Sequence, residues 1–335
     1  MAESTEKRAK KYHKKVTAQE VANDVDLTGK HVLITGANTG IGFEAAKALA
    51  NRNAHIVMAC RNITKASEAK DRILDEKDDA KITILQLDCE DLSSVETCAE
   101  QYIKSGWSLD ILILNAGVYN PIHRVTDAGF EATFQINHLA QFYFTQLLEA
   151  QLVNSAPSRV VVVSSMAMKM CKETQEISWE ALSPTHKRKL NSPMQAYGLS
   201  KYCNVLFAAQ LNRRLAGNGV TAYSLHPGMV RTEITRNSAF MRTFFKIMAP
   251  AVIPPDRGAA TTVYCGTADG LEAGAFYMEC KRKKSANKPV HNEAAGAELW
   301  ELSQEMIRHY KQSSVAPQQP PTPAQHKQQE AATAH

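Results

Sequence analysis

The 335-residue chain is 44% hydrophobic and 22% charged, the makeup of a globular protein with enough apolar material for one sizeable core. Its formal charge of +5 is modest and concentrates in an early run, Lys7, Arg8, Lys10, Lys11, Lys14 and Lys15, so no nucleic-acid-binding face is expected. The seven cysteines (Cys60, Cys89, Cys98, Cys171, Cys203, Cys265, Cys280) are odd in number and never spaced C-x-x-C, which excludes a disulfide framework or zinc site and points to a reducing, cytosolic compartment. No apolar run reaches the roughly eighteen residues of a membrane span.

Residues 1–27 read as a basic, polar leader. From His31 onward, apolar runs of strand length alternate with longer segments of helical period. The strands are expected at His31 to Thr35, His55 to Ala59, Ile82 to Leu87, Ile111 to Leu114, Val160 to Ser164, Val220 to Leu225 and Ala275 to Tyr277. The helical segments fall at Gly42 to Asn53, Ser94 to Lys104, Glu131 to Val153 and Tyr197 to Leu215. Continuous apolar runs suit strands buried on both faces, and strict strand–helix alternation predicts an α/β fold. This is a Rossmann-type, doubly wound parallel sheet of about seven strands in a three-layer αβα sandwich, with ligand bound at the strands' carboxyl ends. Residues 28–311 form its single nucleotide-binding domain. Residues 312–335 form a Pro/Gln-rich tail, expected to be disordered, in which Pro317-Gln-Gln-Pro320 fits the loose pattern of a polyproline ligand.

The first strand leads into Gly36-Ala-Asn38-Thr39-Gly40-Ile41-Gly42 and then a helix. Glycines there let backbone approach a pyrophosphate, which the helix N-terminus stabilises. After the second strand, where an NAD site carries an acid for the ribose 2′-hydroxyl, stands Arg61, a fork suited to a 2′-phosphate. The cofactor expected is therefore NADP(H).

With Asn115-Ala-Gly117, Phe134-Gln-Ile-Asn137-His138, Ser165 after a valine run, Tyr197-Gly-Leu-Ser-Lys201 and His226-Pro-Gly228, the chain resembles the short-chain dehydrogenase/reductase family over roughly residues 28 to 280. Ala59-Cys-Arg-Asn62 and Gly258-Ala-Ala-Thr-Thr-Val-Tyr-Cys265 add likeness to its retinol dehydrogenase branch and to the enzyme domain of its WW-containing members. WW-type partner binding is not carried over, because Trp107, Trp179 and Trp300 all lie inside or after the fold. The resemblance implies Asn137, Ser165, Tyr197 and Lys201 as the catalytic set. It also implies that Lys201 bonds the nicotinamide ribose, that Asn137 holds a water, and that Asp88 and Asn115 contact the adenine side.

A phenol normally titrates near pH 10, and Lys201, one helical turn from Tyr197, is expected to lower it. Tyr197 then protonates a carbonyl oxygen as hydride reaches carbon, or removes the hydroxyl proton in reverse. Ser164 and Ser165 point to opposite faces of the strand, and pattern alone leaves open which enters the site; the resemblance favours Ser165. Beyond Gly228, Met229 to Pro255 carries Phe240, Met241, Phe244, Phe245, Ile247 and Met248. That segment suits a lid over a lipophilic alcohol or carbonyl such as a retinoid or steroid, with core packing or a homodimer contact as the other readings. The rival from another class is a non-enzymatic NADP(H)-binding scaffold.

Overall fold

The computed structural model describes residues 15–170, 192–230, 252–284 and 288–315. Its strands are β1 (His31–Thr35), β2 (His55–Cys60), β3 (Ile82–Gln86), β4 (Ile111–Leu114), β5 (Ser158–Val163), β6 (Val220–His226), β7 (Phe276–Met278) and β8 (Lys281–Arg282). They form one sheet in the order β3-β2-β1-β4-β5-β6-β7-β8, parallel throughout except for β8, which pairs antiparallel with β7.

The apolar runs are continuous because each strand feeds two cores. Leu33, Leu112, Leu114, Val160 and Val162 point into one, and Val32, Ile34, Ile111, Ile113, Val161 and Val163 into the other. The first core is closed by α4 (Leu92–Lys104), α5 (Ala140–Leu147), α7 (Pro193–Leu215) and α9 (Glu293–Val315). The second is closed by α1 (Ala18–Ala22), α2 (Gly40–Ala50), α3 (Ile63–Leu74) and α8 (Pro255–Thr267). A short α6 (Glu149–Asn154) leads into β5. Helix starts follow local chemistry. Asn62 caps α3 at Lys65 N (2.8 Å), Asp91 caps α4 at Ser93 N (2.9 Å), and Ser192 caps α7 at Gln195 N (3.2 Å) ahead of Pro193.

Three features depart from the sequence reading. The segment before residue 28 is not simply polar: Val16, Ala18, Val21, Ala22 and Leu27 are buried in the second core. Helix α1, held by a Thr17/Glu20 capping box, packs on α8 and α2. At the other end α9 runs to Val315, so residues 312–315 are helical. Finally, the helical stretch Glu131 to Val153 is broken, with a π-helical turn at Gln135–Leu139 ahead of α5 and a second break at Leu148 before α6. Lys7 to Lys14, Cys171, Trp179, most of Met229 to Pro255 and Pro317 to Pro320 lie outside the described residues. The other six cysteines are buried free thiols. Among the described residues no helix is long and apolar enough to cross a membrane.

Because Val21 is 4% exposed against α8, placing an unpaired carboxylate there desolvates a charge with no partner. Val21→Asp is expected to lower unfolding stability by about 3 kcal/mol or more, read as a fall in the urea midpoint.

Candidate active site

β1 and β4 are neighbours from which the chain winds outward in opposite directions, to β2 and β3 on one side and to β5 and β6 on the other. Their carboxyl ends form the switch point where such sheets hold ligands. Two side chains tie those ends together. The Thr35 hydroxyl oxygen accepts from the backbone N–H of Asn115 (2.9 Å) and of Ala116 (3.0 Å). The Asn115 amide donates to the carbonyls of Thr35 (3.0 Å) and Gly36 (3.1 Å).

Against this knot sits the glycine turn. Gly36 takes a φ of +67°, a conformation that favours glycine, and its N–H donates to the Ala59 carbonyl (2.8 Å). The Cys60 sulfur accepts from the N–H groups of Ala37 and Asn38. Helix α2 approaches so closely that a Cβ on Gly42 would lie 2.3 Å from the Gly36 oxygen and 2.5 Å from Asn115 Nδ2. Thr39, at the N-cap of α2, makes no side-chain cap bond, in contrast to Asn62, Asp91 and Ser192. The first-turn N–H groups at Gly40, Ile41 and Gly42 are thus not met by the cap side chain, and a helix dipole stands behind them. That donor set fits a pyrophosphate.

Arg61 is exposed just beyond β2 and forms no ion pair among the described residues. The acid within its field, Glu90, is held by Nη1 and Nη2 of the Arg124 guanidinium, which keep its carboxyl below the usual range. Asp88 is half-buried and spends Oδ1 on Glu90 N (3.0 Å). Arg61 is left free for an anion at the rim of the same cleft.

On the other side of the switch point, α7 carries Tyr197 and Lys201 one turn apart. Lys201 is 3% exposed, and its ammonium donates to the Val163 carbonyl (3.1 Å). A Cβ on Gly117 would lie 3.1 Å from Lys201 Nζ and 3.2 Å from Asn137 Oδ1, so this glycine keeps the space beside both open. Burial pulls the Lys201 ammonium down to about 8. The Tyr197 ring centroid is 5.8 Å from Lys201 Nζ. Burial raises the phenol to about 12, opposed by a hydrogen bond from Ser165. One helical turn sets the separation, but both groups are desolvated and burial pushes each toward its neutral form, with Ser165 the group that opposes it at Tyr197.

Geometry separates the two adjacent serines. Ser164 is 2% exposed and donates to the Lys201 carbonyl (2.6 Å), stapling β5 to α7. Ser165, on the opposite face, bonds Tyr197 and accepts from Ala167 N (3.2 Å). Asn137 sits fully buried in the π-helical turn and clamps the loop after β4 at both ends of one residue. Its Oδ1 accepts from Val118 N (2.7 Å), and its Nδ2 donates to Val118 O (2.9 Å) and Ser200 Oγ (3.0 Å).

Two further contributors stand beside these residues, His226, which the sequence offered only within the His226-Pro-Gly228 motif, and Tyr119, which it did not single out. His226, at the end of β6, is held neutral by burial, which lowers it to about 4, and its Nδ1 accepts from Met166 N (3.4 Å), bracing the backbone beside Ser165. Tyr119 packs its ring edge-on against Tyr197, with centroids 5.9 Å apart at 76°. A tyrosine in a loop carries no periodic signal; its two-residue distance from Gly117 was the available hint.

The short chain dehydrogenase family model matches residues 30–176. The WW domain-containing oxidoreductase of Gallus gallus is 41% identical over 304 residues, covering 89% of this chain and 73% of that protein. Retinol dehydrogenase 12 of Mus musculus is 38% identical over 286 residues, covering 85% and 88%. A crystal structure of a Mycobacterium Paratuberculosis protein is similar with a TM-score of 0.66 at 30% identity, covering 86% of this chain and 97% of that one. The L-sorbose reductase of Gluconobacter frateurii shares the fold at a TM-score of 0.61 and 18% identity, over 76% and 96% of the two chains. With its glycine turn and its Ser165, Tyr197 and Lys201 drawn together at the switch point, this chain belongs to the short-chain dehydrogenase/reductase family of oxidoreductases.

Proposed function

We propose that the protein is an NADP(H)-dependent oxidoreductase that interconverts an alcohol and a carbonyl on a lipophilic substrate, with Tyr197 as acid and base. The observation that carries this reading is the convergence of the Ser165 hydroxyl, the Tyr197 phenol and the Lys201 ammonium at the carboxyl end of β5. Arg61, left unpaired by the Glu90–Arg124 bridge, supports NADP(H) over NAD(H). Relatives named as retinol dehydrogenases support a lipophilic substrate.

When bound, NADPH supplies the hydride. Gly36, Asn38, Thr39, Gly40, Ile41 and Gly42 would hold its pyrophosphate, Arg61 its 2′-phosphate, and Asp88 and Asn115 its adenine side. Lys201 would hold the nicotinamide ribose. The chain's own residues manage the proton. The Tyr197 hydroxyl, raised further above neutral pH by burial, is protonated, so in reduction it is a loaded acid that delivers its proton to the carbonyl oxygen. The phenolate left behind is met by the Ser165 hydroxyl and faces the Lys201 ammonium, which is still charged below about pH 8. Ser165 also orients the substrate oxygen, while Asn137 fixes the loop that flanks Lys201. In oxidation the same proton moves in reverse.

Tyr197→Phe is expected to reduce NADPH-dependent turnover by roughly 10²-fold or more while NADPH affinity stays within a few-fold, measured by steady-state assay and fluorescence titration. Full activity in that variant sinks the assignment. Arg61→Ala should weaken NADPH roughly 10- to 100-fold and leave NADH nearly unchanged, the worth of a charge-assisted hydrogen bond. Equal effects on both cofactors would place the 2′-phosphate elsewhere.

Lys201 also makes a stability prediction. Its folded value of about 8 lies below the ordinary 10.5, so below pH 8 the folded state carries the full burial cost, and stability is regained as pH rises from about 8 to 10.5. That shift corresponds to about 3 kcal/mol at neutral pH. Lys201→Met, which leaves the Val163 carbonyl its bond from Asn204 Nδ2 (3.3 Å), should abolish turnover yet raise stability at pH 7 by about 1 to 3 kcal/mol. The gain should vanish toward pH 10.5, as read from urea midpoints across the pH range.

A further inference from the structure

Tyr119 is 8% exposed, and it is the second phenol in the cleft. Its place is fixed by its neighbour rather than by regular structure. Val118 is gripped at its N–H (2.7 Å) and its carbonyl (2.9 Å) by the one carboxamide of Asn137. The residue that follows therefore leaves this clamp with little freedom. Its ring then meets Tyr197 edge-to-face at 5.9 Å, on the same phenol whose ring Lys201 Nζ approaches at 5.8 Å.

The hydroxyl is the informative atom. A tyrosine this deeply buried usually places its O–H on a partner, as Tyr102 does on Ser108 O (2.6 Å) and Tyr277 on Glu272 O (3.2 Å). Tyr119 Oη takes no hydrogen bond among the described residues, yet it is not among the polar atoms sealed from solvent. A phenol that is rigidly held and open at its oxygen offers a donor and an acceptor that no described protein group takes up. The two uses for such a group are structural and ligand-directed, and among the described residues no protein group supplies the structural one.

We propose that Tyr119 is a substrate-contacting, specificity-determining residue of the Tyr197 site, whose hydroxyl hydrogen-bonds a second oxygen on the substrate, apart from the reacting one. Resting on the proposed oxidoreductase reading, it narrows the substrate class. The preferred compound has a mainly apolar skeleton with an oxygen function besides the carbonyl or alcohol that reacts. A purely hydrocarbon ketone leaves Tyr119 Oη desolvated and unpaired when it binds, which costs affinity. Tyr119→Phe removes that cost and that gain together, since the ring and its contact with Tyr197 remain.

The test uses the full chain loaded with NADPH and ring ketones matched in skeleton: cyclohexanone against 1,2- and 1,4-cyclohexanedione, and 1-decalone against its hydroxylated counterparts. Binding is read by quenching of NADPH fluorescence, and turnover by NADPH consumption. Wild type should favour at least one dioxygenated member over its parent by roughly three- to ten-fold, the worth of one hydrogen bond. That ratio should fall below about two-fold in Tyr119→Phe and persist in the binding of Tyr197→Phe. A thermal melt of Tyr119→Phe close to wild type shows that the fold is intact. Wild type without any such preference, or a preference that survives in Tyr119→Phe, overturns the assignment. Binding preference without turnover of any ketone keeps Tyr119 as a ligand contact and removes the oxidoreductase reading instead.

Discussion

The site is organised around an ammonium that has been taken out of water. Lys201 is almost wholly buried, and burial alone drives its affinity for a proton down to about 8. A protein accepts that cost only if the surrounding backbone is held to receive the charge. Here the Val163 carbonyl receives it, and Ser164 pins the Lys201 carbonyl back onto β5. Gly117 and Asn137 stand on its far side. Removing side-chain volume at Gly117 and adding a π-helical turn at Asn137 are local costs that make room for one charge beside one phenol.

The same logic governs the cofactor half. Thr35 and Asn115 knot the ends of β1 and β4, and that knot lets α2 approach until no Cβ fits at Gly42. The helix end at Thr39 lacks a side-chain cap, and Arg61 is an exposed guanidinium with no ion pair among the described residues. Both suit the phosphates of the proposed cofactor. The two halves meet at the switch point because sheet order puts β1 next to β4.

Strands buried on both faces declared themselves in the sequence, since continuous valine, isoleucine and leucine runs have few other homes. Helix α3 did not, because three buried residues, Ala66, Ala69 and Ile73, carry its whole inner face. Helix α9 and the buried part of residues 15–27 were hidden by their polar outer surfaces. At the site, period-two alternation could say that Ser164 and Ser165 diverge, but only packing says which one meets Tyr197. Spacing likewise gave the Tyr197–Lys201 separation but not the desolvation of the two groups, which is a property of everything around the pair. Tyr119 lay beyond periodicity altogether, placed by a clamp between residues nineteen apart in sequence.

The most direct measurement is a carbon NMR titration of the protein labelled at lysine Cε, with the Lys201 signal assigned by its loss in Lys201→Met. A midpoint near 8 for that one lysine, apart from surface lysines near 10.5, is the result this account predicts. A midpoint indistinguishable from the surface lysines would mean that the ammonium is solvated, and the site described around it would not stand.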